Sequence, residues 1–243
     1  MPKFKLTPLQ WVVHIGAWIP LAWLGWEYLT HNLTANPIQA ATQRTGKDAL
    51  AFLVLSLACT PLNTLFGFRP ALRVRRALGL YAFFYASLHL FIFVVFDYSL
   101  DWSLLQRAIL ENRYVLVGLA AYLILAPLTA TSFKIWMKRL GKGWKRLHML
   151  VYLAGPLVIV HFAWAVKGSV LRLRGDVWQP LYYGSSVAVL LILRIPSIRR
   201  GASNLRSLLN RSRLDRNSKK AENLSAEPVH RISRPRDLTH EHD

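Results

Sequence analysis

Six long apolar runs alternate with polar connectors along the chain. They span approximately Leu9 to Leu29, Ala49 to Phe66, Ala77 to Phe96, Tyr114 to Phe133, Leu147 to Val166 and Leu181 to Ile198. Each approaches the roughly 20 residues that a helix needs to cross a hydrocarbon core of about 30 Å. The pattern predicts an all-α membrane protein, a bundle of about six transmembrane helices filling residues 1–198. The first run carries Glu27 and no small-residue cleavage site, so it is expected to be retained as a helix. From residue 199 to 243 the chain is basic and polar, with Arg206, Arg211, Arg213, Arg216, Lys219 and Lys220 among Ser and Asn. That composition cannot bury a core and predicts a disordered cytoplasmic tail attracted to anionic lipid head groups.

The connectors assign the orientation. Arg69, Arg73, Arg75 and Arg76 crowd the second one, and Lys134, Lys138, Arg139, Lys142, Lys145 and Arg146 the fourth. The first and third hold Asp48, Asp97, Asp101 and Glu111 and are close to charge-balanced. Lys and Arg concentrate on the cytoplasmic side, so this alternation places both termini in the cytoplasm of a multi-pass bacterial inner-membrane protein. The connector after the fifth run is less clean, with Lys167, Arg172 and Arg174 against Asp176.

Composition then removes other classes. The net charge is +19, from 31 Lys and Arg against 12 acidic residues. A nucleic-acid binder of that charge would set aromatics among its basic residues, whereas here the aromatics lie in the apolar runs. Cys59 is the only cysteine, which excludes a disulfide framework and any cysteine-held cluster within one chain.

The chemistry is carried by histidine. Ionisable groups inside a bilayer are costly and mark function by default. His31 lies in a connector, His230, His240 and His242 lie in the tail, and His14 sits near the start of the first run. His89, His148 and His161 remain. At 1.5 Å per residue, His89 lies about 18 Å and His161 about 21 Å from the basic end of their helices, whereas His148 lies about 2 Å in. Two neutral imidazoles at one depth on neighbouring helices can ligate haem iron from both faces. His148 and His161 are about 140° apart around an ideal helix, although Gly155 and Pro156 between them can re-phase the two halves. Two other readings stay open: histidines that only hydrogen-bond between helices, and a cofactor-free transporter or scaffold. No internal repeat is visible in the sequence, and Glu27 lies near the end of its run.

The segments RVRRALGLYAFFYASLHL (Arg73 to Leu90), LACTPL (Leu57 to Leu62) and TSFKIWMKRLGKGWKRLHMLVYLAGPLVIVHFAWAVK (Thr131 to Lys167) resemble the MsrQ (YedZ) family. Members are haem-binding membrane subunits of the MsrPQ protein-methionine-sulfoxide reductase system, within the ferric reductase-like transmembrane domains. Fuller relatives carry two histidines on each of two helices and stack two haems. Here Arg75 stands one helical repeat before His89, so the resemblance implies one haem b between His89 and His161, with His148 a ligand of a second or an alternative. It also implies electrons arriving from the quinone pool or a cytoplasmic flavin reductase and leaving to a periplasmic molybdenum-containing catalytic subunit, MsrP. The resemblance implies that this electron route supports repair of oxidised periplasmic proteins. FMN is a further implied cofactor, though no flavin-binding motif is visible. No catalytic residue is expected, only a non-catalytic electron-transfer subunit. A stand-alone ferric or quinone reductase is the other reading within this class. Arg75, Arg76, Lys145 and Arg146 are candidates to attract haem propionates or a flavin phosphate, or serve topology alone.

Overall fold

The computed structural model describes residues 6–166, 178–195 and 197–201, with Asn204 and Arg216. The expected disordered tail lies almost wholly outside the described residues, as does the connector from Lys167 to Arg174 and Asp176. Every apolar run is helical, and no strand occurs among the described residues. Four helices are long and apolar enough to cross a membrane: Pro37–Phe66, Pro70–Asp97, Arg113–Ala130 and Lys142–Ala165. The first and sixth runs are helical but shorter.

The first run is not one helix, as its hydropathy predicted, but two: α1 (Pro8–Gly16) and α2 (Ile19–Leu29). Pro20 in the first turn of α2 has no N–H to continue the ladder, so the chain breaks at Ala17 and Trp18. The break is tied down from inside, because Tyr85, fully buried, donates its hydroxyl to the Ala17 carbonyl at 2.6 Å.

The second span, α3 (Pro37–Phe66), begins twelve residues before the expected Ala49. Asn36 caps it by accepting from the Gln39 N–H at 3.0 Å, and Pro37 occupies the first turn, where a missing N–H costs nothing. The expected connector around Asp48 is therefore helix. Gly67, with φ of 70°, ends α3 in a left-handed turn that a side chain would strain.

Helix α4 (Pro70–Ile92) returns antiparallel along α3 and widens into a π-helical turn over Phe93–Asp97. Amphipathic α5 (Trp102–Glu111) follows, buries Leu105 and Ala108, and leads into α6 (Arg113–Ala130). The basic connector is itself helical, as α7 (Lys134–Leu140) and α8 (Lys142–His148). A short turn joins α8 to α9 (Val151–Ala165), and α10 (Trp178–Ile192) packs against α9 and α3.

Packing is closest between α3 and α4 and between α6 and α9, with α4 against α6 joining the two hairpins. The core runs along the first hairpin through Leu50, Leu53 and Leu57 of α3 and Val74, Leu78, Ala82 and Tyr85 of α4. Trp11, Trp23, Trp26, Phe66, Trp102 and Trp178 are exposed, as lipid-facing and interfacial aromatics of a membrane bundle are. Arg76 lies over the Phe133 ring at 5.4 Å, so the two arginine- and lysine-rich connectors meet at one end of the bundle.

Inside α3, Pro61 cannot donate to the carbonyl of Leu57. Arg194, just beyond α10 and buried, supplies the missing donor: its Nη2 meets Leu57 O at 2.7 Å and Thr60 Oγ1 at 3.3 Å. Its guanidinium also lies over the Tyr152 ring at 5.7 Å. In lipid an orphaned carbonyl has no water to turn to, so this contact fixes α10 against the kink of α3.

Candidate functional site

His89 in α4 and His161 in α9 come from different hairpins and stand ring to ring, with centroids 6.1 Å apart and planes crossed at 80°. Each is oriented from behind by a backbone carbonyl. His89 Nδ1 donates to Thr42 O at 2.8 Å, and His161 Nδ1 donates to Tyr114 O at 2.7 Å. Those bonds fix the tautomer, so each Nδ1 carries the proton and each Nε2 keeps its lone pair. The Tyr114 ring also lies 6.1 Å from the His161 ring. Both imidazoles are half-buried within apolar spans.

The residues fit a haem iron. With metal–imidazole bonds of about 2 Å on each side, two axial rings stand with centroids roughly 6 Å apart. The observed separation meets that spacing, and the carbonyl-bound Nδ1 is the usual outer contact of a metal-ligating histidine. No group of three or more His, Cys, Asp or Glu side chains able to cage a metal occurs among the described residues. A cofactor bringing its own equatorial donors needs only the two axial ones.

His148, the third candidate, is not brought to this pair. It ends α8 near the basic end, where its Nε2 meets Thr131 Oγ1 at 3.2 Å and its ring lies 4.1 Å from that of Trp144. Trp144 donates in turn to the Thr131 carbonyl at 2.9 Å. Among the other histidines, His14 pairs its Nδ1 with the Tyr81 hydroxyl at 2.9 Å.

Three participants were missed in the sequence. Thr42 and Tyr114 act through backbone carbonyls, which no side-chain pattern reports, and Thr42 lies in the stretch taken for a connector. The third is Arg44, which pairs with Glu27 two residues beyond Thr42, while Trp23 donates to the same carboxylate at 2.9 Å. That cluster ties α2 to the start of α3 beside the His89 acceptor.

A membrane bundle that brings two histidines together from separate hairpins defines a class, and the family described as ferric reductase like transmembrane component matches residues 45–173, which include both. The chain is 42% identical over 190 residues to the protein-methionine-sulfoxide reductase heme-binding subunit MsrQ of Xanthomonas euvesicatoria pv. vesicatoria (strain 85-10), covering 76% of this chain and 84% of that one. It is 39% identical over 193 residues to the subunit of the same name from Rhodospirillum rubrum, covering 79% and 89%. The chain belongs to the MsrQ family of ferric reductase-like transmembrane proteins.

Proposed function

We propose that this chain is the membrane electron-transfer subunit of a protein-methionine-sulfoxide reductase system, and that His89 and His161 would hold one haem b. The observation that carries the reading is the crossed imidazole pair, each ring tied at Nδ1 to a carbonyl of the neighbouring helix. When bound, haem supplies reversible one-electron chemistry. The chain's own residues do the rest. His89 and His161 would hold the haem, and Thr42 and Tyr114 orient their rings.

The Lys and Arg rule sets the end bearing Arg69, Arg73, Arg75, Arg76 and the α7–α8 basic residues in the cytoplasm of the inner membrane, with both termini there. The histidine pair then lies in the periplasmic half, suited to delivery toward a periplasmic acceptor. Electrons come from the quinone pool or a cytoplasmic flavin reductase, and the molybdenum-containing subunit MsrP receives them. The relatives' name, heme-binding subunit of a methionine-sulfoxide reductase, supports this assignment. His148 is the candidate ligand for a second haem, and Arg75, Arg76, Lys145 and Arg146 are the cations available to a propionate or an FMN phosphate.

The test is a reduced-minus-oxidised spectrum of the detergent-purified chain, with a pyridine haemochrome assay. A b-type signal near one haem per chain is the expected result. A signal near two brings His148 in as a ligand, and no haem under adequate haem supply overturns the reading in favour of a cofactor-free bundle.

A further inference from the structure

We infer that Gly46 and Gly118 are positioning residues for the two imidazoles, each leaving the space in which a ring reaches the carbonyl one helical turn earlier. This rests on the haem reading above.

A methyl group at Gly118 would stand 2.5 Å from His161 Nδ1 and 2.7 Å from its Cε1. One at Gly46 would stand 3.1 Å from His89 Nδ1 and 3.2 Å from its Cε1. Each glycine follows by four residues the acceptor of that same nitrogen, Tyr114 or Thr42, so carbonyl and bare Cα lie on one face of the helix. In both hairpins the imidazole lies 47 residues beyond its acceptor. Thr42 and Tyr114, Gly46 and Gly118, and His89 and His161 are thus all offset by the same chain length. The two hairpins repeat one device in position, although no repeat is visible in sequence.

Close helix packing alone also favours small residues in membrane spans. The surroundings separate the two explanations. At Gly155 an added methyl meets Val187 and Leu57, and at Gly184 it meets Ile159 at 3.3 Å, which are aliphatic packing contacts. At Gly46 and Gly118 it meets the nitrogen-bearing edge of a candidate ligand. Glycine inside a helix is less favourable than alanine, so its placement at both sites calls for an offsetting gain.

The two sites are unequal. Below 3.0 Å a ring has to move, whereas at 3.1 Å a few tenths of an ångström suffice. Gly118→Ala is therefore expected to lower haem affinity by about tenfold or more, within the range for outer contacts of metal ligands. Gly46→Ala is expected to retain haem with an altered low-spin ferric EPR signal.

The experiment measures haem per chain and ferric EPR for Gly118→Ala, Gly46→Ala, and the controls Gly184→Ala, which tightens packing against Ile159 rather than against a histidine ring, and Gly25→Ala, which meets open space. Wild-type spectra in both controls with loss in Gly118→Ala support positioning. Haem-loaded wild type and Gly118→Ala with identical content and EPR overturn it, and equal loss in Gly184→Ala reduces it to packing. Wild type without haem sinks the underlying reading instead. Should Gly118→Ala not accumulate, His161→Gly is compared with His161→Gly/Gly118→Ala. With no ring left for the methyl group to meet, the double variant should accumulate as well as His161→Gly; failure of the double variant alone would show that the methyl group clashes elsewhere and overturn the inference.

Discussion

Arg194 donates to the Leu57 carbonyl at 2.7 Å, the acceptor that Pro61 leaves without its helical partner four residues on. Removing the guanidinium orphans a carbonyl where water cannot replace it, a loss of about 1–3 kcal/mol. Arg194→Met should accordingly lower the thermal midpoint of the detergent-solubilised protein. Pro61→Ala restores an N–H to that carbonyl, so the same substitution in the Pro61→Ala background should cost about 1 kcal/mol less. Equal losses in both backgrounds would show that Arg194 acts otherwise.

Single replacements of the three candidate histidines should separate them. His89→Ala and His161→Ala each remove one of the facing rings and should abolish most bound haem in the haemochrome assay. His148→Ala breaks a contact with Thr131 and Trp144 at the basic end and should lose less. Equal retention in all three would refute the ligand assignment.

The ring planes cross at 80°, which has its own spectroscopic readout. Near-perpendicular axial imidazoles leave two iron d orbitals almost degenerate, and the low-spin ferric signal becomes strongly anisotropic. A single dominant low-field EPR feature is the expected result. A rhombic spectrum would mean parallel rings and a rearranged pair.

Asp101 caps α5 by accepting from the Ser103 N–H at 2.9 Å and the Leu104 N–H at 3.1 Å, and its carboxyl is held below the ordinary range first by the Ser103 hydroxyl and then by the Leu104 N–H. A lowered value means the cap contributes above the ordinary carboxylate pKa and is lost as pH falls through the lowered one. Trp102 fluorescence should therefore shift only as pH falls below the ordinary carboxylate range, and Asp101→Asn, which caps without titrating, should flatten that shift.

The spans were legible because their length and apolarity have no alternative in water. Their ends were not. Pro37 to Asp48 reads as connector, since Gln39, Thr42, Gln43, Arg44, Lys47 and Asp48 are polar, and hydropathy outweighed the Asn36–Pro37 start signal that was present. That stretch carries Thr42 and Gly46, the cradle behind His89. Matched depth was enough to bring His89 and His161 together on paper, but their outer contacts are a backbone oxygen and a missing side chain, features that leave little trace in residue chemistry. The single first helix failed for the opposite reason: uniform apolarity hid Pro20.

Both ligand-candidate rings lean on amide carbonyls. A carboxylate in that position would draw the Nδ1 proton toward itself whenever charge at the far nitrogen changed, and would titrate with it. An amide oxygen neither accepts that proton outright nor changes charge with pH. With haem held between them, as proposed, the pair would take up and release an electron while its own protons stay in place, and the midpoint potential should hold level across the neutral pH range even as the aqueous compartments on either side acidify.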